Sequence, residues 1–161
     1  MNEILILTTG GTIDKVYFDA KSHYEVGSSI VGSLLEQAEV KHPHKIVGVV
    51  QKDSLELTDE DRSKIRDVIL DHPHRQIVIT HGTDTITETA HTLSKLTGRT
   101  IVLTGSLAPA RFAMTDAMFN IGMAIATVQA KTPGIYIVMN GTVFDAHLVH
   151  KDREQNAFIG D

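Results

Sequence analysis

Ile4-Leu5-Ile6-Leu7-Thr8-Thr9-Gly10-Gly11-Thr12-Ile13 and Ile77-Val78-Ile79-Thr80-His81-Gly82-Thr83-Asp84-Thr85 share one pattern, an apolar run that ends in a glycine turn carrying threonines. Both runs read as buried strands. Glycine at a strand end permits a sharp turn and close approach of the backbone to a ligand, because it has no Cβ. In an open α/β sheet, ligands bind beyond the carboxyl ends of the strands, where both turns fall. Thr12 and Thr83 are therefore expected to face one crevice.

Outward from these turns, short apolar runs alternate with longer amphipathic ones. Strands are expected near 4–8, 45–50, 76–80, 100–104 and 134–139, and helices near 28–38, 58–71, 84–96 and 114–130. Such a βαβ series predicts an α/β fold, a three-layer open and mostly parallel sheet flanked by helices, of Rossmann-like or flavodoxin-like kind. Thr58 with Asp61 three residues on reads as a helix N-cap and capping box. Asp84 through Glu88 is expected to open the next helix, which would set Thr83 and Asp84 at its N-terminus. Residues 14–27 lack periodicity and are long for a connection, so a lid beside Thr12 is expected, the alternative being a short hairpin.

A threonine hydroxyl is a weak nucleophile, so attack on a carbonyl needs a neighbouring base or cation to take or displace its proton. Asp84 follows Thr83 directly, and a lysine from elsewhere would complete a Thr-Lys-Asp relay. Backbone N–H groups of the Gly10-Gly11 turn would serve a developing oxyanion. Either turn alone also fits an ordinary strand-to-helix connection; the pair, with an acid attached to one, points to chemistry.

With 161 residues the chain is expected to form one domain, 1–161. A net charge of −5 argues against nucleic acid as partner and for a small molecule. There is no cysteine for disulfide or thiolate chemistry, no apolar stretch of membrane-spanning length, and no positive segment at Met1-Asn2-Glu3, so a cytoplasmic enzyme is expected. Nine histidines include His42-Pro43-His44 and His72-Pro73-His74. Proline in both pairs marks them as turns, so no metal and no cofactor are expected. For His81 a packing or supporting role is expected; His91, His147 and His150 give no signal.

Thr9-Gly10-Gly11-Thr12-Ile13 and His81-Gly82-Thr83-Asp84-Thr85 resemble, in order, the two signatures of the bacterial-type L-asparaginase family, and the likeness covers nearly the whole chain. The resemblance implies hydrolysis of L-asparagine to L-aspartate and ammonia through an acyl-enzyme. It makes Thr12 the nucleophile, Thr83 the second catalytic threonine, and Asp84 the group that holds the substrate amine and supports the relay. Ser22-His23-Tyr24-Glu25-Val26-Gly27 resembles the family's loop segment, which makes Tyr24 the tyrosine that helps activate Thr12, with Tyr17 as competitor. Asp53 and Ser54 stand where the family binds the α-carboxylate, beside Gly11 and Gly82. Asn140 to Asp145 followed by Val149-His150-Lys151 resembles the segment leading to the catalytic lysine, here Lys151. Without that likeness Lys151 reads as a solvated lysine before the charged Asp152-Arg153-Glu154. Leu103 to Leu107, Pro109, Asp116 and Asn120 are similar to the structural floor of the site.

Long members continue into a smaller second domain whose residues complete a neighbour's site. This sequence stops at Asp161, so the resemblance implies the amino-terminal catalytic domain alone, with weak substrate binding and a homo-oligomer, dimer or tetramer, supplying the missing surface. Alternatives are a related glutaminase, a subunit of a tRNA-dependent amidotransferase, or a catalytically silent domain that senses asparagine or aspartate.

Overall fold

In the computed structural model, residues 2–18 and 23–161 are described, Phe18 by its backbone alone. In chain order they form β1 (Ile4–Gly10), β2 (Lys15–Phe18), β3 (His23–Val26), α1 (Val31–Gln37), β4 (His44–Lys52), α2 (Asp59–Leu70) and β5 (Gln76–Thr80). Then follow α3 (Ile86–Thr92), β6 (Thr100–Thr104), α4 (Ala117–Ala130), β7 (Gly134–Met139), β8 (Thr142–Asp145), β9 (Val149–Asp152) and β10 (Ala157–Gly160).

Six strands form one sheet in the order β4-β1-β5-β6-β7-β8. The first five are parallel, and β8 adds antiparallel to β7. Numbered among themselves, the parallel strands run 2-1-3-4-5, the flavodoxin-like order. In this order the chain leaves β1 toward one side for its next strand and returns to the other side for the third. The crevice between β1 and β5 is thus the topological switch point, and both threonine turns open into it.

Both faces of the sheet are covered, which explains the unbroken apolar runs. Leu7, Ile79, Leu103 and Ile137 line up across four strands and share one core with Ile65 and Ile69 of α2 and Ile86 and Ala90 of α3. Ile6, Val78 and Val102 pack on the other face against Leu34 and Leu35 of α1 and Ile121, Ala124 and Val128 of α4. Each fully buried side chain of this kind contributes roughly 1.5–3 kcal/mol. Burial, not propensity, holds α3, because a helix of 7 residues is unstable alone.

Several local expectations hold and others need correction. Thr58 and Asp61 form the reciprocal capping box, Thr58 Oγ1 accepting from Asp61 N at 3.2 Å and Asp61 Oδ2 from Thr58 N at 3.0 Å. The Asp61 carboxyl is held below the usual range, first by its hydrogen bond from Lys52 and then by the Thr58 N–H. The third helix is shorter than expected, Ile86–Thr92. Thr85 at its start has φ −124° and ψ 19°, so Thr83 and Asp84 lie in the turn before the helix, not in its first turn. Within 14–27, β2 and β3 pair antiparallel, Tyr17 opposite Tyr24, as in the hairpin alternative. The part of the expected lid at residues 19–22 lies outside the described residues. No helix is long and apolar enough to cross a membrane among the described residues.

Candidate active site

The floor of the site is a seam of glycines. Gly11 has φ 85°, and a Cβ there would lie 2.5 Å from both Cα and N of Gly82. The residues preceding the two motif threonines therefore touch backbone to backbone, which brings Thr12 and Thr83 to one place. A Cβ on Gly82 would lie 2.5 Å from Cβ of Ser54, and one on Gly105 would collide with the His81 carbonyl oxygen. Four loops thus meet with no room for a side chain between them.

Thr12 opens a 3-10 turn, Thr12–Asp14, anchored where Gly11 N donates to Lys52 O at 3.0 Å. The backbone N–H groups of Thr12 and Thr83 donate to no backbone carbonyl among the described residues. They are free to serve a ligand oxygen.

Across the seam, Lys151 Nζ donates to Thr83 Oγ1 at 2.8 Å and to Asp84 Oδ1 at 2.9 Å. The lysine side chain is 13% exposed and that of Asp84 31%. This is the opposite of a solvated lysine, and strand geometry explains it. Lys151 lies two residues after buried Val149 on β9, so both side chains leave the same face. It also pairs with buried Phe158 of β10. Phe158 N donates to Asn140 Oδ1 at 2.8 Å, fixing this hairpin to the β7–β8 turn. Arg153, which reads from sequence as part of a charged tail, sends Nε to 3.7 Å from Asp84 Oδ1. Its signal was only its spacing from Lys151.

The remaining expected residues divide. Ser54 is buried and forms part of the seam, its carbonyl accepting from Thr85 Oγ1 at 2.9 Å. Asp53 caps the short turn Ser54–Glu56 through Leu55 N and lies 3.5 Å from Lys15 Nζ. Tyr24 and Asp53 line a cleft of about 620 Å³ between the β2–β3 hairpin and the end of β4. Thr12, Thr83 and Lys151 do not line it. The Tyr24 ring, 46% exposed, packs on Tyr17 at 5.2 Å and on Phe112 at 5.5 Å between centroids. Asp116 accepts from Leu107 N and Ala108 N, and Asn120 donates to Gly105 O at 2.9 Å, so both hold the turn after β6.

Two buried titratable groups flank the threonines. The Asp14 carboxyl accepts from Ile30 N at 3.0 Å. Burial pushes it up to about 6, although the Ile30 N–H, the Ser29 hydroxyl and the Arg111 charge pull it down. His81 is fully buried, and burial pushes its imidazole down to about 4. It is neutral at physiological pH.

Residues 3–158 match the family model described as Asparaginase, N-terminal. The chain belongs to the asparaginase family. It is similar to a glutaminase-asparaginase of Acinetobacter glutaminasificans, 30% identical over 164 residues, covering 93% of this chain and 50% of that one. It is likewise similar to L-asparaginase 2 of Escherichia coli strain K12, 33% identical over 159 residues, with 92% of this chain and 46% of that one covered. Among solved structures, the thermostable L-asparaginase from Thermococcus kodakarensis matches with a TM-score of 0.84 at 27% identity, over 98% of this chain and 51% of that one. The chain spans about half the length of the curated relatives it matches. The resemblance carried by the two threonine motifs is thus borne out for the family and for the fold.

Proposed function

We propose that residues 1–161 form a catalytic domain that hydrolyses L-asparagine to L-aspartate and ammonia. The observation that carries this reading is Lys151 Nζ, set 2.8 Å from Thr83 Oγ1 and 2.9 Å from Asp84 Oδ1 beside the seam that holds Thr12. Thr12 Oγ1 attacks the side-chain amide carbon, and its proton passes to a base as the C–O bond forms. The oxyanion is met by the backbone N–H groups of Thr12 and Thr83. Collapse breaks the C–N bond, the nitrogen takes a proton and leaves as ammonia, and the acyl group stays on Thr12. Water then attacks the ester carbon, its proton taken through Thr83 and Lys151; the bond from that carbon to Thr12 Oγ1 breaks, Oγ1 takes a proton back, and L-aspartate leaves. Lys151 is the base toward Thr83, and Asp84 orients it and receives the substrate amine. Gly11, Gly82, Asp53 and Ser54 border the bound amino acid. Tyr24 assists Thr12 when the β2–β3 hairpin turns toward it.

The same proposal includes a dimer or tetramer and a cytoplasmic setting, the latter supported by the likeness to the probable cytoplasmic L-asparaginase from Campylobacter jejuni. Light scattering and cell fractionation test these two points. Ammonia release from asparagine tests the chemistry: Thr12→Ala and Lys151→Ala are each expected to lose on the order of 10³-fold in kcat. A wild-type rate in either variant removes that residue's role. The glutaminase-asparaginase relative makes glutamine the comparison substrate. Calorimetric binding of asparagine without turnover would replace catalysis with sensing.

A further inference from the structure

His81 stands directly before the second glycine turn, and nothing in the proposed chemistry uses its ring. Its two ring nitrogens have partners of different kinds. Nδ1 lies 2.7 Å from the Gly82 carbonyl oxygen, which can only accept, so Nδ1 carries the hydrogen. Nε2 lies 2.7 Å from Thr89 Oγ1 of α3. In the neutral ring Nε2 accepts, and the Thr89 hydroxyl therefore donates to it. The same hydroxyl oxygen accepts from Arg62 Nε of α2 at 3.2 Å. Donation runs one way, from Arg62 to Thr89 to His81 to the Gly82 carbonyl.

An imidazolium would break this direction. Nε2–H would make the Thr89 oxygen an acceptor from the ring as well as from Arg62, and the displaced Thr89 hydrogen would lose its partner in a fully buried place. The charged groups around the ring agree. Arg62, 7% exposed at its side chain, disfavours a second cation, while its own charge is met by Asp59 at 3.4 Å and Glu88 at 3.3 Å. Burial first and Arg62 after it push the imidazole down, against the Gly82 hydrogen bond.

The far end of the relay is the peptide that joins Gly82 to Thr83. No cis peptide occurs among the described residues. In a planar trans unit the N–H points opposite to the carbonyl. Holding the Gly82 carbonyl toward His81 therefore aims the Thr83 N–H away from it, and that N–H donates to no backbone carbonyl among the described residues. The next atoms along the chain carry the Thr83 hydroxyl that meets Lys151.

We infer that Arg62, Thr89 and His81 are positioning residues, a one-way hydrogen-bond relay that sets the Gly82–Thr83 peptide and so aims the Thr83 N–H and hydroxyl for amide cleavage. The inference rests on the proposed amidohydrolase function, while the relay itself is testable without turnover. A histidine present only for packing needs a shape; this one needs a direction.

Thr89→Val keeps the shape and removes the hydroxyl, and Thr89→Ser restores the hydroxyl in a smaller side chain. Nitrogen-15 NMR of the wild-type protein is expected to show His81 as the Nδ1–H tautomer, still neutral at pH 5.5. Thr89→Val is expected to keep Nδ1–H, which the Gly82 carbonyl still accepts, but to shift the Nε2 resonance as that nitrogen loses its donor, and to fall on the order of tenfold or more in kcat for asparagine, with KM within about twofold of wild type. Thr89→Ser is expected to keep the tautomer and most of the rate. An Nε2–H tautomer or an imidazolium in the wild type at pH 5.5 overturns the relay, and this measurement stands even where the valine variant does not fold. Turnover of Thr89→Val within twofold of wild type overturns the positioning role. Absence of ammonia release by the wild type would sink the proposed function instead, with the tautomer still deciding the relay.

Discussion

At the seam between β1 and β5 the chain meets itself backbone to backbone, whereas the β2–β3 pair beside it has main-chain bonds to its surroundings only at its base, among the described residues, and leans on side chains for the rest. In the seam Gly11, Gly82 and Ser54 leave no space for another atom group. At the hairpin, Arg111 reaches across to the carbonyls of Asp14 and Ser28, both at 3.1 Å, and Tyr24 leans on Tyr17 and Phe112. The contrast separates two tasks. Backbone contact fixes where the threonines stand and tolerates no change; side-chain contact holds a part whose position can be adjusted.

The largest effect is expected where the seam is forced open. Gly11→Ala combines a left-handed φ of 85° with a Cβ 2.5 Å from two backbone atoms of Gly82. With ψ at −174° the conformation is one that essentially only glycine adopts and costs about 1–3 kcal/mol, and the overlap adds about 1–3 more, because a backbone atom cannot swing aside as a side chain does. Gly98→Ala supplies the comparison: φ is 73° there, but a Cβ meets nothing within 4 Å. It is expected to cost only about 1 kcal/mol. Urea unfolding of both variants measures the difference, and equal losses would mean that the seam is no tighter than an open turn.

Acidification divides the two regions by sign. His81 belongs to the seam and is pushed down from 6.5 to about 4, so its contribution is present above about pH 6.5 and lost as pH falls through 4. Asp14 belongs to the hairpin base and is pushed up from 3.8 to about 6, so its contribution is present below 3.8 and lost as pH rises through 6. Each is on the order of 3 kcal/mol and the two largely offset each other in the wild type. Asp14→Asn exposes the pair. Its stability relative to wild type is expected to grow by roughly 3 kcal/mol from pH 4 to pH 7, while His81→Asn is expected to gain on wild type as pH falls over the same range. Denaturant titrations at both pH values decide it; parallel shifts would show that neither group titrates differently on unfolding.

The same contrast governs what could be read from the residues in order. The parallel strands were legible because both faces are covered, which leaves apolar runs such as Ile77-Val78-Ile79 with no polar interruption. Helix α2 was legible because its N-terminus is closed by neighbours in sequence, Thr58 and Asp61. Strand β8 escaped notice although Asn140-Gly141, with φ 52° and 69°, is a strong local signal for a two-residue hairpin. The β9–β10 hairpin lacks so clear a signal. Its turn is charged, and what buries Lys151 is distant: Phe158 in the core and the bond from Phe158 N to Asn140. Only the family likeness pointed to that lysine. Arg62 was missed for the same reason, since it reads as a surface residue near a helix start and is buried by reaching Thr89, 27 positions on.

The smallest effect is expected at the hairpin. Arg111→Ala removes two hydrogen bonds to main-chain carbonyls, one partly buried and one exposed, together with the cation that partly offsets the burial of Asp14. Water replaces much of the exposed contact, so about 1–2 kcal/mol is expected. The loss should also be local. Gly27 N still donates to Asp14 O at 2.8 Å and Ala110 N to Ile13 O at 3.1 Å, which keeps the hairpin base in register without the guanidinium. Amide exchange is therefore expected to quicken in β2 and β3 and to stay unchanged in β1 and β5. Quickening at Thr8 and Thr80 as well would mean that the side-chain contacts also hold the seam, and the division between a fixed floor and an adjustable wall would have to be given up.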